Sequence, residues 1–218
     1  MTGTRVVIAP VAPRPYLGFN QPKDDPMPDR NQAALDFLLT RRSFPALALK
    51  APVPDREALR TLLTAASRSP DHGKLEPWRF IVLTRDALQA VADNLPAAGT
   101  RIGVPQDKID KPVATYAAAQ LAVVVVSSPK PSDKVPKIEQ TYAAGGVCLG
   151  LVNAALAAGW GATWLSGWFS HDRDFIRDQF GLSDHETVAG IVHIGTGAQT
   201  PPDRPRPDID AITDWGGL

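Results

Sequence analysis

Residues 140–170 read QTYAAGGVCLGLVNAALAAGWGATWLSGWFS and contain no Lys, Arg, Asp or Glu. A run of that length could span a bilayer. Its composition argues otherwise: Asn153 and the glycines Gly145, Gly146, Gly150, Gly159 and Gly161 interrupt it, and Gly159-Trp160-Gly161 is a turn signal that divides it in two. We expect a core helix from about Ile138 to Ala158, followed by a short strand or extended loop at Ala162-Thr163-Trp164-Leu165. A helix apolar on every side is a buried one, and in a chain of this size complete burial often needs a second subunit.

Around this run the composition is that of an ordinary globular protein, 218 residues with 44% hydrophobic and 21% charged. Lys+Arg and Asp+Glu number 23 each, a formal net charge of zero. That balance speaks against nucleic acid and membrane surfaces as partners, because both are usually met by a basic excess. Cys148, the single cysteine, cannot make an intramolecular disulfide and reads as a small buried hydrophobe, which fits a reducing cytoplasm. No signal peptide is expected, since Met1-Thr2-Gly3-Thr4-Arg5 leads only to Val6-Val7-Ile8-Ala9-Pro10.

Residues 1–30 form a Pro-rich arm, with Pro10, Pro13, Pro15, Pro22, Pro26 and Pro28 breaking any regular element, and residues 31–218 form the domain. Asp29 offers an N-cap to a helix striped by Leu35, Leu38 and Leu39 and ending at Arg41-Arg42-Ser43. Pro54-Asp55 opens a second helix, which Ser69-Pro70 closes. Strands are expected at 78–83, 121–126 and 187–195, the middle one apolar on both faces and therefore central. Between the first two, 85–119 reads as helix, loop and helix with Pro96 and Pro105 in the middle, and Asp172 caps a short helix stopped by Gly181. Helices and strands mix without a regular βα rhythm, which predicts an α+β fold.

Few motifs carry chemistry. Arg41-Arg42-Ser43 either complements a helix dipole, worth about 0.3–1 kcal/mol, or grips a phosphate with two guanidinium groups and a hydroxyl. Ser69-Pro70-Asp71-His72-Gly73-Lys74-Leu75-Glu76-Pro77-Trp78 is either a surface turn or a binding loop held between a helix and a strand. The histidines His72, His171, His185 and His193 lack metal-ligand spacing, so no metal is expected. Ser166-Gly167 lacks a nucleophile elbow, and Gly195-Thr196-Gly197 lacks the full dinucleotide fingerprint. No catalytic acid, base or nucleophile stands out.

Together, Arg41-Arg42-Ser43, Pro52-Val53-Pro54, the Ser69–Phe80 loop and strand, Lys134–Gln140, Gly161–Gly167 and Gly190–Thr196 resemble the FMN-dependent nitroreductase family, in its small bacterial branch with a Pro-Asp-His-Gly loop. The resemblance covers about residues 32–216. It implies a mainly antiparallel central sheet surrounded by helices, an intertwined homodimer, and FMN at the subunit interface with NAD(P)H as co-substrate. It places Arg41, Arg42 and Ser43 on the FMN phosphate and ribityl chain, with Arg206, more than Arg204, completing the phosphate site. His72 and Glu76 would reach the flavin from the other subunit, while Trp164, Leu165 and Ser166 would line its ring. The implied activity is ping-pong reduction of nitroaromatic, quinone or related small-molecule acceptors; the alternative is a flavin-binding storage or sensing module without robust turnover.

Two positions depart from the branch. Leu165 stands where Arg is frequent, and Glu76 stands where Gln is common. A lost cation and a gained anion disfavour added negative charge on a nearby flavin, so a lowered reduction potential is expected.

Overall fold

The strand Leu121–Ser127 (β3) is buried along its whole length, with alternate side chains entering opposite faces of a five-stranded sheet. The structure, a computed structural model, describes residues 29–216. The Pro-rich arm therefore lies outside the described residues except for Asp29 and Arg30, which have no regular structure. Trp78–Thr84 (β2) pairs with one edge of β3 and Thr187–Gly197 (β5) with the other. β5 also pairs with Gly161–Leu165 (β4) and, at its end, with the two-residue strand Leu49–Lys50 (β1). Every pairing is antiparallel, as the α+β reading requires.

Both faces of the sheet are covered. Val124, Val126 and Ile191 enter a core with Leu88, Val91 and Leu95 of Arg85–Arg101 (α3), Tyr116 of Gln106–Ala118 (α4), and Phe175 and Ile176 of Arg173–Phe180 (α6). Val123, Val125, Val192 and Ile194 enter another with Leu59 and Leu62 of Arg56–Ala66 (α2) and Val147, Leu151 and Ala155 of Lys137–Ala157 (α5). The uncharged run is thus divided as its glycines suggest, into α5 and β4, with Gly159 at φ 84° between them. No helix among the described residues is long and apolar enough to cross a membrane.

Four details differ from the sequence expectations. α1, Gln32–Thr40, is capped by Asn31, whose side chain accepts from Ala34 N at 3.0 Å, and not by Asp29. α3 runs straight through Pro96, which faces solvent, where water can serve the carbonyl it frees; the break comes at residues 102–105. Asp172 makes no cap bond because its carboxylate pairs with Arg101 of α3. And α5 is buried on one face only: Ile138, Tyr142 and Leu149 are 53%, 69% and 49% exposed and repeat at helical spacing along the other.

Candidate functional site

After Thr40 the chain leaves α1 in an extended strip. Phe44 N donates to Ala162 O of β4 at 3.0 Å, and the Phe44 ring lies over Gly197, where a β-carbon would stand 2.2 Å from it. This docking fixes the three residues before it. Arg41 donates through Nη2 to Ser43 Oγ at 3.0 Å, and Arg42 donates through Nη1 to Thr40 O. Arg42 Nη2 also meets Asp203 Oδ2 at 3.0 Å, while the other oxygen of Asp203 accepts from Arg206 Nη2 at 3.0 Å. Arg41, Arg42, Ser43 and Arg206 therefore converge, although about 160 residues separate the last from the others.

The cluster is short of negative charge. Arg41 Nε is buried and has no hydrogen-bond partner. Burial first, and the charge of Arg206 second, hold the Arg41 guanidinium below its ordinary pKa. Two like charges brought together with an orphaned donor between helix end and tail make a site for an anion.

Trp164, Leu165 and Ser166 lie at the end of β4, just past the Phe44 contact at Ala162, with Trp164 and Ser166 exposed and Leu165 half-buried. The Trp164 indole rests on Gly190 of the neighbouring strand; a β-carbon there would stand 1.9 Å from its Nε1. Only glycine leaves room for the ring in that position, so β5 itself sets the angle of this aromatic wall.

The loop bearing His72 and Glu76 is shaped by positive φ at Gly73 (76°), Lys74 (54°) and Glu76 (47°), strain for the two non-glycine residues. Asp71 Oδ2 pins it by accepting from Glu76 N at 3.0 Å, and His72 Nδ1 meets Glu139 Oε2 at 2.8 Å in the first turn of α5. The Phe44 strip, in contrast, contacts Ala162 just beyond the last turn of α5. At 1.5 Å per residue α5 is roughly 30 Å long. One chain does not bring His72 and Glu76 to the arginine cluster.

A model of the Nitroreductase family matches residues 38–196. The chain belongs to the nitroreductase family. A Haemophilus influenzae protein named as an NAD(P)H nitroreductase is 36% identical over 168 residues, covering 76% of this chain and 89% of that protein. In fold, this nitroreductase-family chain is similar to the nitroreductase-like family protein from Bacillus cereus, with TM-score 0.69, 21% identity, and 83% and 94% of the two chains covered. It is also similar to the FMN and NADPH-dependent nitroreductase NfnB from Sphigopyxis sp., with TM-score 0.65, 19% identity, and 85% and 99% covered.

Three residues that organise the site of this nitroreductase-family member escaped sequence reasoning: Phe44, Asp203 and Glu139. Phe44 and Gly197 are far apart in sequence and meet only through the β1–β5 and β4–β5 pairing. Asp203 stands three residues before Arg206, a spacing that in retrospect marks an acid placed to hold that arginine. Glu139 lies within the Lys134–Gln140 stretch that carries the resemblance, yet nothing in the sequence ties it to His72.

Proposed function

We propose that the chain is an FMN-dependent oxidoreductase that uses NAD(P)H to reduce small acceptors such as nitroaromatics and quinones, taking both substrates in turn in one cleft. The observation that carries this reading is the arginine cluster. Arg41, Arg42 and Arg206 less Asp203 give a formal charge of +2, matched by a phosphomonoester of about −2 at neutral pH. Arg41 Nε, buried without a partner, is the kind of donor such an anion satisfies. The names of the relatives agree: one is named for NAD(P)H nitroreduction, another as FMN- and NADPH-dependent.

When bound, FMN supplies the hydride-accepting and electron-donating chemistry. The chain supplies position. Arg41, Arg42, Ser43 and Arg206 anchor the phosphate and ribityl end, and Trp164, Leu165 and Ser166 shield the ring from water. His72 and Glu76 approach from a second subunit, which explains why one chain leaves them near the opposite end of α5. The same homodimer covers the apolar stripe Ile138, Tyr142 and Leu149. No side chain is required as a general acid or base.

The test is direct: purified protein is mixed with FMN, desalted and examined by absorption, then supplied with NADH or NADPH and a nitro or quinone acceptor. Retained flavin and acceptor-dependent oxidation of the nicotinamide are expected; protein that retains no flavin and oxidises neither nucleotide would sink the reading. The charge at position 76 has its own consequence. Glu76→Gln should raise the potential of the bound flavin by on the order of tens of millivolts, read by redox titration, and an unmoved potential removes Glu76 from the flavin's surroundings.

A further inference from the structure

The tail beyond β5, residues 198–216, returns along the arginine cluster with few ties to the body. Among the described residues its hydrogen bonds are internal, joining Arg204 to Asp203, Arg206 to Asp203, Asp210 to Asp208, Ile212 to Ile209, Trp215 to Asp210 and Gly216 to Asp214. The one ion pair among them that leaves the tail is Asp203 with Arg42, at 3.0 Å. Asp203 spends one oxygen on Arg42 of the body and the other on Arg206 and the Arg204 N–H. The Arg204 N–H first, then the charges of Arg42 and Arg206, hold its carboxyl below the usual range, so it is ionised at neutral pH.

The charges around it explain why such a link is needed. Arg206 lies close enough to Arg41 to depress its pKa, and Arg42 stands on the other side of the same carboxylate. Without the carboxylate, Arg206 would face two like charges with nothing holding a long, entropically costly side chain in place. With it, Arg206 gives up Nη2 and keeps Nε and Nη1 for another acceptor. Asp203 lowers the charge of the cluster without occupying all its donors.

We propose that Asp203 is a positioning residue for the cofactor phosphate: it fastens the tail to Arg42 and so delivers Arg206 to the site that Arg41 and Ser43 begin. This rests on the FMN reading above and adds to it a dependence on an acidic residue at an anion site, opposite in sign to a simple charge count. By charge alone, removing Asp203 would strengthen phosphate binding; by geometry it weakens it, because the third guanidinium is lost.

The experiment measures dissociation constants of FMN and riboflavin, by quenching of flavin fluorescence, for the wild type, Asp203→Asn and Asp203→Glu. Asp203→Asn should weaken FMN binding about fivefold, the scale of one exposed ion pair, and leave riboflavin unchanged because it has no phosphate. Asp203→Glu, which keeps the charge, should recover most of the loss. Since Asp203 is exposed, the thermal midpoint should hold in both variants. FMN bound by Asp203→Asn as tightly as by the wild type, or more tightly, overturns the proposal, as does an equal loss for FMN and riboflavin. A wild type that binds neither flavin defeats the cofactor reading itself, a result distinguishable from failure of Asp203 alone.

Discussion

His193 sits mid-strand in β5, 1% exposed, with both ring nitrogens lacking a partner and its ring edge-on to Tyr116 at 5.1 Å between centroids. Burial lowers its pKa to about 4 from 6.5 and pushes the Tyr116 phenol, also unpartnered, above its ordinary value. It is a neutral core residue near pH 7. Between pH 6.5 and about 4 the unfolded chain binds a proton that the folded chain refuses. Stability should therefore fall as pH drops through that window, by up to about 3 kcal/mol. Glu186 adds a second, lower limb: its carboxyl is held at about 2 by hydrogen bonds from Arg79, so its contribution is lost as pH falls below 4.5. Denaturant midpoints measured from pH 7.5 to 3.5 should show both limbs, and His193→Phe should flatten the upper one while keeping the lower. An unchanged slope between pH 6.5 and 4.5 would remove the histidine from the account.

At the scale of elements, the pattern of the chain was most legible where one local signal dominated. Asp55 capping α2 through Ala58 N at 2.8 Å, the wholly buried β3, and Gly181 ending α6 at φ 67° all follow from residues within a few positions. Pro96 was misleading because its cost depends on which side of the helix it faces, and only the packing of Leu88, Val91 and Leu95 settles that. β1 was invisible: two residues carry no periodicity, and only their partners Gly197 and Thr196 define them. α5 is the element whose sequence promised more burial than one chain provides. If its stripe is a dimer contact, Tyr142→Glu should weaken dimerisation more than about tenfold in sedimentation velocity. The fold of the subunit should survive, because Tyr142 is 69% exposed. A dimer unaffected by this change would place the contact elsewhere.

For the whole molecule, the sequence offers candidate residues but not the shape that joins some of them and separates others. Arg41, Arg42 and Ser43 are adjacent in sequence, yet their junction with Arg206 depends on Asp203 and on a tail that must travel back from the end of β5. His72 and Glu76 are held by Glu139 and Asp71 at a distance from that junction. The proposal that two subunits share the site makes a prediction that no single-chain site makes. Arg41→Ala and His72→Ala, each with reduced activity alone, should complement when subunits are exchanged, since half the dimers would carry one intact site of two and restore about a quarter of full activity by symmetry. Mixed subunits no more active than either parent would show that each site belongs to one chain. Cys148, finally, lies on the buried face of α5, 0% exposed, with its thiol pushed up to about 12. It is the single sulfhydryl of the chain, so an alkylating reagent can reach it only when α5 lifts from the sheet. The protein thus carries its own clock for that opening, in which the rate of covalent labelling counts the excursions of its central helix.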